Sequence, residues 1–169
     1  MTLSIRILQD EDEHMLWTML MYAAHELSVA EVKANPDLAR YVAGWGRAGD
    51  LGGIAEQNFV PIGSAWVRLW SKDDYGYGFV ADDVPELAIA VIPEAQGKGI
   101  GTALLSELLK LAEPKFPAVS LSIRADNPAL NLYKRMGFVS MAGSELTNRT
   151  GGVSFTMLRT LAFNSYRLR

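Results

Sequence analysis

The sequence predicts a single α/β domain in which a mixed β-sheet has helices on both faces. Three observations predict it: strand-like and helix-like segments alternate along the chain, one almost continuously apolar segment suits a strand covered on both sides, and there is no internal repeat or linker. With 169 residues, of which 49% are hydrophobic and 21% charged, the chain can bury one core. We expect the domain to span residues 1–160, followed by a C-terminal tail at 161–169.

The first half of the chain predicts a strand, two helices and a hairpin. Residues 4–8 have the pattern of a strand, and Asp10 can cap a helix whose apolar residues recur at helical spacing as far as Leu27. Asn35-Pro36 is a typical start of a second helix, which a cluster of glycines ends before residue 50. Residues 51–57 and 60–70 then predict two antiparallel strands joined by a tight turn.

The second half predicts alternating strands and helices after a long loop. Residues 71–85 form this loop, which is rich in Asp and Tyr, and residues 86–92 are the apolar segment expected at the centre of the sheet. A helix, a strand and another helix follow, the last beginning at Asn127-Pro128 and ending at Gly137. The chain then closes with a hairpin, which gives the order β-α-α-β-β-β-α-β-α-β-β.

The composition argues against several classes of partner. The chain has 16 Lys+Arg against 19 Asp+Glu, a net charge of −3, and no cluster of basic residues, so we expect no nucleic-acid partner. No apolar stretch approaches the roughly 18 residues of a membrane span, so we expect no membrane association. The acidic N-terminal region leaves no room for a signal peptide, and we therefore expect a cytoplasmic protein.

The residue types also limit the chemistry. The absence of cysteine excludes a disulfide framework, a thiolate zinc site and an enzyme that carries an acyl group on its own cysteine. The only two histidines, His14 and His25, lie about 16 Å apart if they share one helix, too far to bind one metal ion. We therefore expect no metal site.

The segment Gly97-Lys98-Gly99-Ile100-Gly101 connects the central strand to the following helix. Because glycine has no Cβ, backbone N–H groups can approach an anion closely, and the helix adds the positive end of its dipole. The pattern predicts a site for a diphosphate. It lacks the Lys-Ser/Thr pair of a nucleoside triphosphate loop and is one residue short of the dinucleotide motif. The alternative is that these glycines only turn the chain tightly from strand to helix.

Two segments together resemble the GNAT superfamily of N-acetyltransferases. Residues 90–101 resemble its acetyl-CoA segment, of the form Gln/Arg-x-x-Gly-x-Gly/Ala, and residues 127–138 resemble its second cofactor segment, in the family's order. The resemblance covers most of 3–158 and is strongest over 86–139. It implies a GNAT-like acyl-CoA N-acyltransferase fold with a central mixed, mostly antiparallel sheet, and acetyl-CoA as co-substrate.

The resemblance also implies which residues bind this co-substrate. Ile89 and Val91 would line a slot for the pantetheine arm, where the central strand separates from its neighbour. Asn127 would bind the cofactor from the opposing strand end. Lys98 would add positive charge near the diphosphate, which backbone amides around the glycine segment would hold: those of Gln96, Gly97, Gly99, Gly101 and Thr102.

Glu86 and Tyr133 match positions at which the family places a base and an acid. An alkyl ammonium has a pKa near 10.4, so a base must remove a proton before the amine can react, and burial should raise the pKa of Glu86 toward neutrality. Tyr133 would donate a proton or a hydrogen bond to the leaving thiolate. The alternatives are that Glu86 only caps or pairs at the strand edge and that Tyr133 is an ordinary core residue.

We therefore expect an N-acetyltransferase that moves an acetyl group from acetyl-CoA to a primary amine by direct attack in a ternary complex. The acceptor could be a small metabolite, a drug-like amine, or a peptide or protein amine, and the 71–85 loop could either attract it or be merely solvated. A rival hypothesis is a non-catalytic CoA-binding sensor. A longer acyl donor and a homodimer both stay open.

Overall fold

The computed structural model describes residues 2–162. The strands are β1 (Leu3–Ile7), β2 (Leu51–Gln57), β3 (Val60–Arg68), β4 (Glu86–Val91), β5 (Ala118–Arg124), β6 (Val139–Ser140), β7 (Leu146–Thr147) and β8 (Val153–Thr160). The helices are α1 (Glu13–Ala23), α2 (Val29–Ala34), α3 (Pro36–Ala39), α4 (Ile100–Ala112) and α5 (Leu130–Arg135).

All strands of the described residues belong to one sheet of order β1-β2-β3-β4-β5-β8-β6, and β7 also pairs with β8. Each neighbouring pair is antiparallel except β4 and β5, which are parallel. The predicted α/β class with a mixed, mostly antiparallel sheet is therefore confirmed. The one parallel pair lies at the centre of the sheet, where the chain crosses over through α4.

Two hydrophobic clusters cover the two faces of the sheet. On one face α4 buries Leu104, Leu105 and Leu108 completely, because these residues share one side of the helix. On the other face α1 and the segments after it pack Leu16 and neighbouring aromatic residues against the sheet. Strand β4 contributes alternate residues to both clusters, which explains its nearly continuous apolar sequence.

The first helices differ from the sequence expectation. Helix α1 ends at Ala23 rather than near Leu27, because His25 adopts a left-handed φ of 56° and Leu27 is 90% exposed. The side-chain Oγ of Ser28 accepts a hydrogen bond from the N–H of Glu31 at 3.1 Å and caps the start of the additional short helix α2. The helix expected from Asn35 to the glycine cluster is only the four-residue α3 followed by turns.

The end of the described chain packs on the domain. Leu161, the first residue of the expected tail, is buried, and its N–H donates to the carbonyl of Pro117 at 2.9 Å. Residues 163–169 of that tail lie outside the described residues. Within residues 2–162 no helix is long and apolar enough to cross a membrane.

Candidate active site

Strands β4 and β5 separate almost as soon as they meet. The β3–β4 ladder has six residue pairs, whereas the β4–β5 ladder has only Glu86 opposite Ser120. On its other side β4 donates from Ile92 N–H to Ile62 O at 2.9 Å, so the alternation of a regular strand directs the backbone groups of Ile89 and Val91 away from β3. These groups face the space between β4 and β5.

A cavity of about 540 Å³ opens beside β4 and β5 and continues toward α1 and the β7–β8 loop. It brings together four of the residues predicted from the sequence, namely Glu86, Ile89, Asn127 and Tyr133. Val91 and the glycine segment are not among the residues that line it. The carbonyl of Val91 instead accepts the side-chain amide of Gln96 at 3.0 Å, which ties the glycine segment to the end of β4.

The glycine segment has the geometry of an anion-binding turn. Gly97 and Gly99 adopt φ values of 75° and 79°, and a Cβ at either position would meet nothing within 4 Å, so this side of the turn is open. Gly99 is the N-cap of α4, whose first N–H groups have no partner within the helix. Within residues 2–162 the amides of 97–102 form no hydrogen bond to another segment. These open amides fit a diphosphate.

Lys98, Thr102 and Asn127 stand at the positions that the sequence predicts for cofactor contacts. Lys98 and Thr102 are exposed beside the open amides. The Oδ1 of Asn127 accepts the N–H of Ala129 at 2.8 Å, which fixes the start of the turn before α5. Its Nδ2 donates to no acceptor within residues 2–162 and is available to a ligand in the cavity.

Glu86 is buried with only neutral hydrogen-bond donors around it. Its side chain lies at the start of β4 and the residue is 2% exposed. Oε1 accepts from Trp70 Nε1 at 2.9 Å and from Gly78 N–H at 2.8 Å, and Oε2 accepts from the Tyr41 hydroxyl at 2.6 Å. Burial raises the pKa of Glu86 from 4.5 to about 7, although the three hydrogen bonds act in the opposite direction. This is the direction in which the sequence analysis expects burial to change the pKa of Glu86.

The long loop folds over Glu86 and supplies part of this environment. Besides the Gly78 contact, the N–H of Tyr77 donates to the Tyr41 hydroxyl at 2.9 Å, and the carbonyl of Gly78 accepts from Ser120 Oγ at 2.7 Å. A Cβ on Gly78 would lie 2.9 Å from the carboxyl carbon of Glu86, so only glycine allows this approach. Tyr77 lines the cavity, whereas the aspartates of the loop do not: Asp73, Asp74, Asp82 and Asp83.

Sequence reasoning missed Tyr41 and Trp70, which complete the site around Glu86. Their positions in the sequence do not indicate a polar role: Tyr41 falls within the second predicted helix and Trp70 at the end of the predicted hairpin. Their rings meet edge to face with centroids 5.2 Å apart, and burial together with the charge of Glu86 raises the pKa of the Tyr41 hydroxyl. The Gly-Tyr-Gly sequence at 76–78, inside a loop of otherwise bulky or charged residues, was the available signal that the loop approaches something closely.

Tyr133 is buried but its hydroxyl is unpartnered. The residue is 8% exposed, its ring packs edge to face on Phe138, and it lines the cavity. Within residues 2–162 no hydrogen bond to its hydroxyl is formed, while burial raises its pKa to about 12. The hydroxyl therefore stays protonated over the working pH range and can donate to a ligand.

The two histidines have separate surroundings. Exposed His14 contacts the carbonyl of Glu11 through Nδ1 at 3.0 Å, and His25 lines the cavity at its α1 end. In the part of the chain that the structure describes, no group of His, Asp and Glu side chains is arranged to hold a metal ion.

Comparison with known proteins identifies the family. Residues 53–140 match the acetyltransferase (GNAT) domain. The chain belongs to this family. The prediction of a GNAT-superfamily member is therefore confirmed, and the matched segment contains β3, β4, the glycine segment and Tyr133.

Similar proteins differ in the acceptors for which they are named. A mycothiol acetyltransferase from Streptomyces griseus subsp. griseus is 35% identical over 89 residues, which are 52% of this chain and 26% of that protein. The peptidyl-lysine N-acetyltransferase YjaB from Salmonella typhimurium is 29% identical over 91 residues, 53% of this chain and 59% of YjaB. The chain thus spans about a quarter of the length of the first relative.

A solved structure has the same fold as this GNAT domain. The acetyltransferase yncA from Salmonella typhimurium, determined with its cofactor acetyl-CoA, superimposes with a TM-score of 0.71 at 22% sequence identity, covering 95% of both chains. At this identity the likeness establishes the fold, including its open mixed sheet.

Proposed function

We propose that the protein is an acetyl-CoA-dependent N-acetyltransferase that acts on a primary amine. The observation that carries this proposal is the single cavity that joins the space beside β4 to the carboxylate of Glu86 and the hydroxyl of Tyr133. A proton acceptor and a proton donor thus face the same volume. Membership of the GNAT family supports the same class of reaction.

Backbone groups supply most of the donor site in this proposal. Ile89 and Val91 offer strand-like hydrogen bonds to an extended pantetheine arm, in the manner of an added strand. The amides of 97–102 and the charge of Lys98 hold the diphosphate. Asn127 offers its free Nδ2 from the far side. When bound, acetyl-CoA supplies an acetyl thioester and a thiol leaving group.

Glu86 acts on the acceptor. A carboxylate has about four lone-pair sites, and the three hydrogen bonds occupy two on Oε1 and one on Oε2. The remaining site on Oε2 can accept a proton from an ammonium group or from an intervening water. A base whose pKa is about 7 takes a proton from an alkyl ammonium less unfavourably than an ordinary glutamate does.

Tyr133 acts on the donor side. A hydroxyl with a pKa of about 12 does not release its proton readily to a thiolate, since thiols have a pKa near 8.5. Tyr133 therefore keeps the proton on its oxygen and stabilises developing negative charge by a hydrogen bond. Because the chain contains no cysteine, an acyl-cysteine intermediate is excluded, which favours direct attack by the amine while both substrates are bound.

A thiol-release assay tests the proposal against the sensor hypothesis. Both hypotheses predict that acetyl-CoA stabilises the protein thermally, by about 2.7 kcal/mol at a hundred times the dissociation constant. Only the enzyme releases thiol when amines are added, and propionyl-CoA and succinyl-CoA in the same assay establish the preferred donor. Thermal stabilisation without thiol release from any amine would reject the transferase in favour of the sensor.

A further inference from the structure

The loop between β7 and β8 is joined to the end of α1. Arg149 forms an ion pair with Glu26, and its Nη2 donates to the carbonyl of Ala24 at 3.2 Å. We call these two contacts the Arg149 bridge. Ala24 and Arg149 both line the cavity, although they are 125 residues apart in the chain. The bridge therefore connects the wall of the cavity formed by the end of α1 to the wall formed by the loop between β7 and β8, and we take this side of the cavity as the acceptor side.

Each side of the Arg149 bridge is fixed by further hydrogen bonds. On the loop, Oδ1 of Asn148 accepts the N–H groups of Thr150 at 3.0 Å and of Gly152 at 3.1 Å, so the turn that carries Arg149 is held in shape. On the helix, Ala24 N–H donates to Leu20 O at 2.9 Å. The bridge thus joins two elements that each have their own hydrogen bonds, the turn at 148–152 and the end of α1.

An amine carried on a polypeptide would need an open groove at this rim. Peptides bind in extended grooves or along strand edges, and even a terminal amine that enters end-on brings the residues behind it past the rim of the cavity. The Arg149 bridge crosses the rim instead. The cavity, at about 540 Å³, has the size of a small-molecule site, and the donor's arm must share it with the acceptor.

The charged groups of the cavity suit a single ammonium. Glu86 is the one carboxylate among the described residues that line it. A second ammonium on the acceptor would find no second carboxylate among these lining residues. The lining arginines are also occupied, since Arg124 pairs with Asp126 at 3.3 Å and Arg149 with Glu26. An acceptor carboxylate would therefore meet only guanidinium groups whose charge is already partly neutralised by Asp126 or Glu26.

The remaining acceptor-side surface is apolar or aromatic. Leu20, Ala23 and Leu38 contribute aliphatic groups, and Tyr41 and Tyr77 contribute rings. Given the acetyl transfer proposed above, we infer that the acceptor is a small primary monoamine with an apolar aryl or alkyl body, and that the Arg149 bridge excludes amines carried on polypeptides. Glu86 receives the ammonium end, and the aliphatic and aromatic residues contact the body.

The first test compares four acceptors by thiol release: 2-phenylethylamine, phenylalanine, spermidine, and a short peptide with a free N-terminus and one lysine. The expected kcat/KM for 2-phenylethylamine exceeds each of the others by about tenfold or more. A peptide, spermidine or phenylalanine that matches it would overturn the inference. Thiol release from none of the four would also overturn the inference, whereas the transferase itself is rejected only if no other amine releases thiol while acetyl-CoA still stabilises the protein.

The second test removes the bridge with Arg149→Ala. The ratio of kcat/KM for the peptide to that for 2-phenylethylamine should rise by about tenfold, because the rim opens for a longer chain. Lys110→Ala is the matched control, since it removes an exposed ion pair with Glu107 that is remote from the cavity. An unchanged ratio in Arg149→Ala would show that the bridge does not select the acceptor.

A third measurement follows the bridge without any activity. Hydrogen exchange at the amides of residues 148–152 should be faster in Arg149→Ala than in the wild type, and raised ionic strength should reduce this difference, because salt weakens the exposed ion pair. Equal exchange rates in the two proteins at low salt would mean that the bridge does not hold the loop, and would overturn its proposed role.

Discussion

Two buried carboxylates lie close to each other in the fold and are held in opposite ways. The side chain of Asp50 is 2% exposed and accepts from Arg68 Nε at 3.0 Å and Nη2 at 2.8 Å. Glu86 stands directly opposite Arg68 in the β3–β4 register, yet within residues 2–162 it forms no ion pair. Nη1 of Arg68 donates to the backbone carbonyls of Arg40 and Ala43.

This difference indicates which of the two carboxylates can accept and release a proton. A buried carboxylate paired with a guanidinium balances the charge of its partner, and its loss leaves an uncompensated cation. A buried carboxylate with only neutral donors can gain or lose a proton near neutral pH, as the pKa of about 7 for Glu86 indicates. Asp50 thus organises the structure, and Glu86 is suited to move a proton.

The largest expected effect is on the free energy of unfolding, and it comes from replacing Asp50. Asp50→Asn leaves the buried Arg68 guanidinium without a counter-charge, and the free energy of unfolding should fall by about 3–5 kcal/mol. Urea denaturation measures it, with exposed Asp82→Asn as the control. A loss no greater than that of the control would show that the Arg68 pair does not anchor this region.

The second prediction concerns the pH dependence of stability. Native Glu86 keeps its proton up to about pH 7, whereas the unfolded chain loses it near 4.5, so between these values the native state binds more protons and its stability falls as the pH rises. The loss amounts to about 3 kcal/mol by pH 8. Glu86→Gln should lack this contribution.

Denaturation of wild type and Glu86→Gln at pH 5 and at pH 8 measures the effect. The variant should gain stability relative to the wild type on going from pH 5 to pH 8. A difference between the two proteins that stays constant with pH would mean that Glu86 titrates at its ordinary value.

Tyr133→Phe should affect catalysis and leave folding intact. The lost hydroxyl has no partner within residues 2–162, so the free energy of unfolding should change by less than about 0.5 kcal/mol. The turnover number should fall by about 100-fold, with the KM for acetyl-CoA nearly unchanged. Tyr75→Phe is the control, because Tyr75 is exposed and outside the cavity. Full activity in Tyr133→Phe would reduce Tyr133 to a packing residue.

The smallest expected effect is at the proposed diphosphate site. Lys98 is exposed, so its charge contributes less than about 1 kcal/mol, and Lys98→Ala should raise the KM for acetyl-CoA by about two- to fivefold without changing kcat. Added salt should reduce the difference from the wild type. Lys115→Ala serves as an exposed control after α4, and an equal change in both variants would remove Lys98 from the site.

The proposed donor half of the site rests on signals in the sequence that are local. The glycine segment and the helix after it are contiguous, and the apolar sequence of β4 indicates a central strand. The position of Glu86 at the start of that strand was enough to predict a raised pKa. The same signals led to the family, which the match over residues 53–140 confirms.

The acceptor half depends on contacts between distant residues, and local patterns do not report them. Tyr41 reaches Glu86 from 45 residues away, and Arg149 reaches Ala24 from 125 residues away. The early end of α1 depends on the left-handed conformation of His25, a residue type that helical spacing alone does not mark as a stop. These features become apparent only in the three-dimensional structure.

The pH dependence of kcat in wild type and Glu86→Gln tests the central claim most directly. With acetyl-CoA and the best amine saturating, wild-type kcat should fall tenfold per pH unit below an apparent pKa near 7, and Glu86→Gln should lose about 100-fold in rate together with this limb. If the variant keeps both the rate and the pH dependence of the wild type, Glu86 is not the base, and the central claim is contradicted.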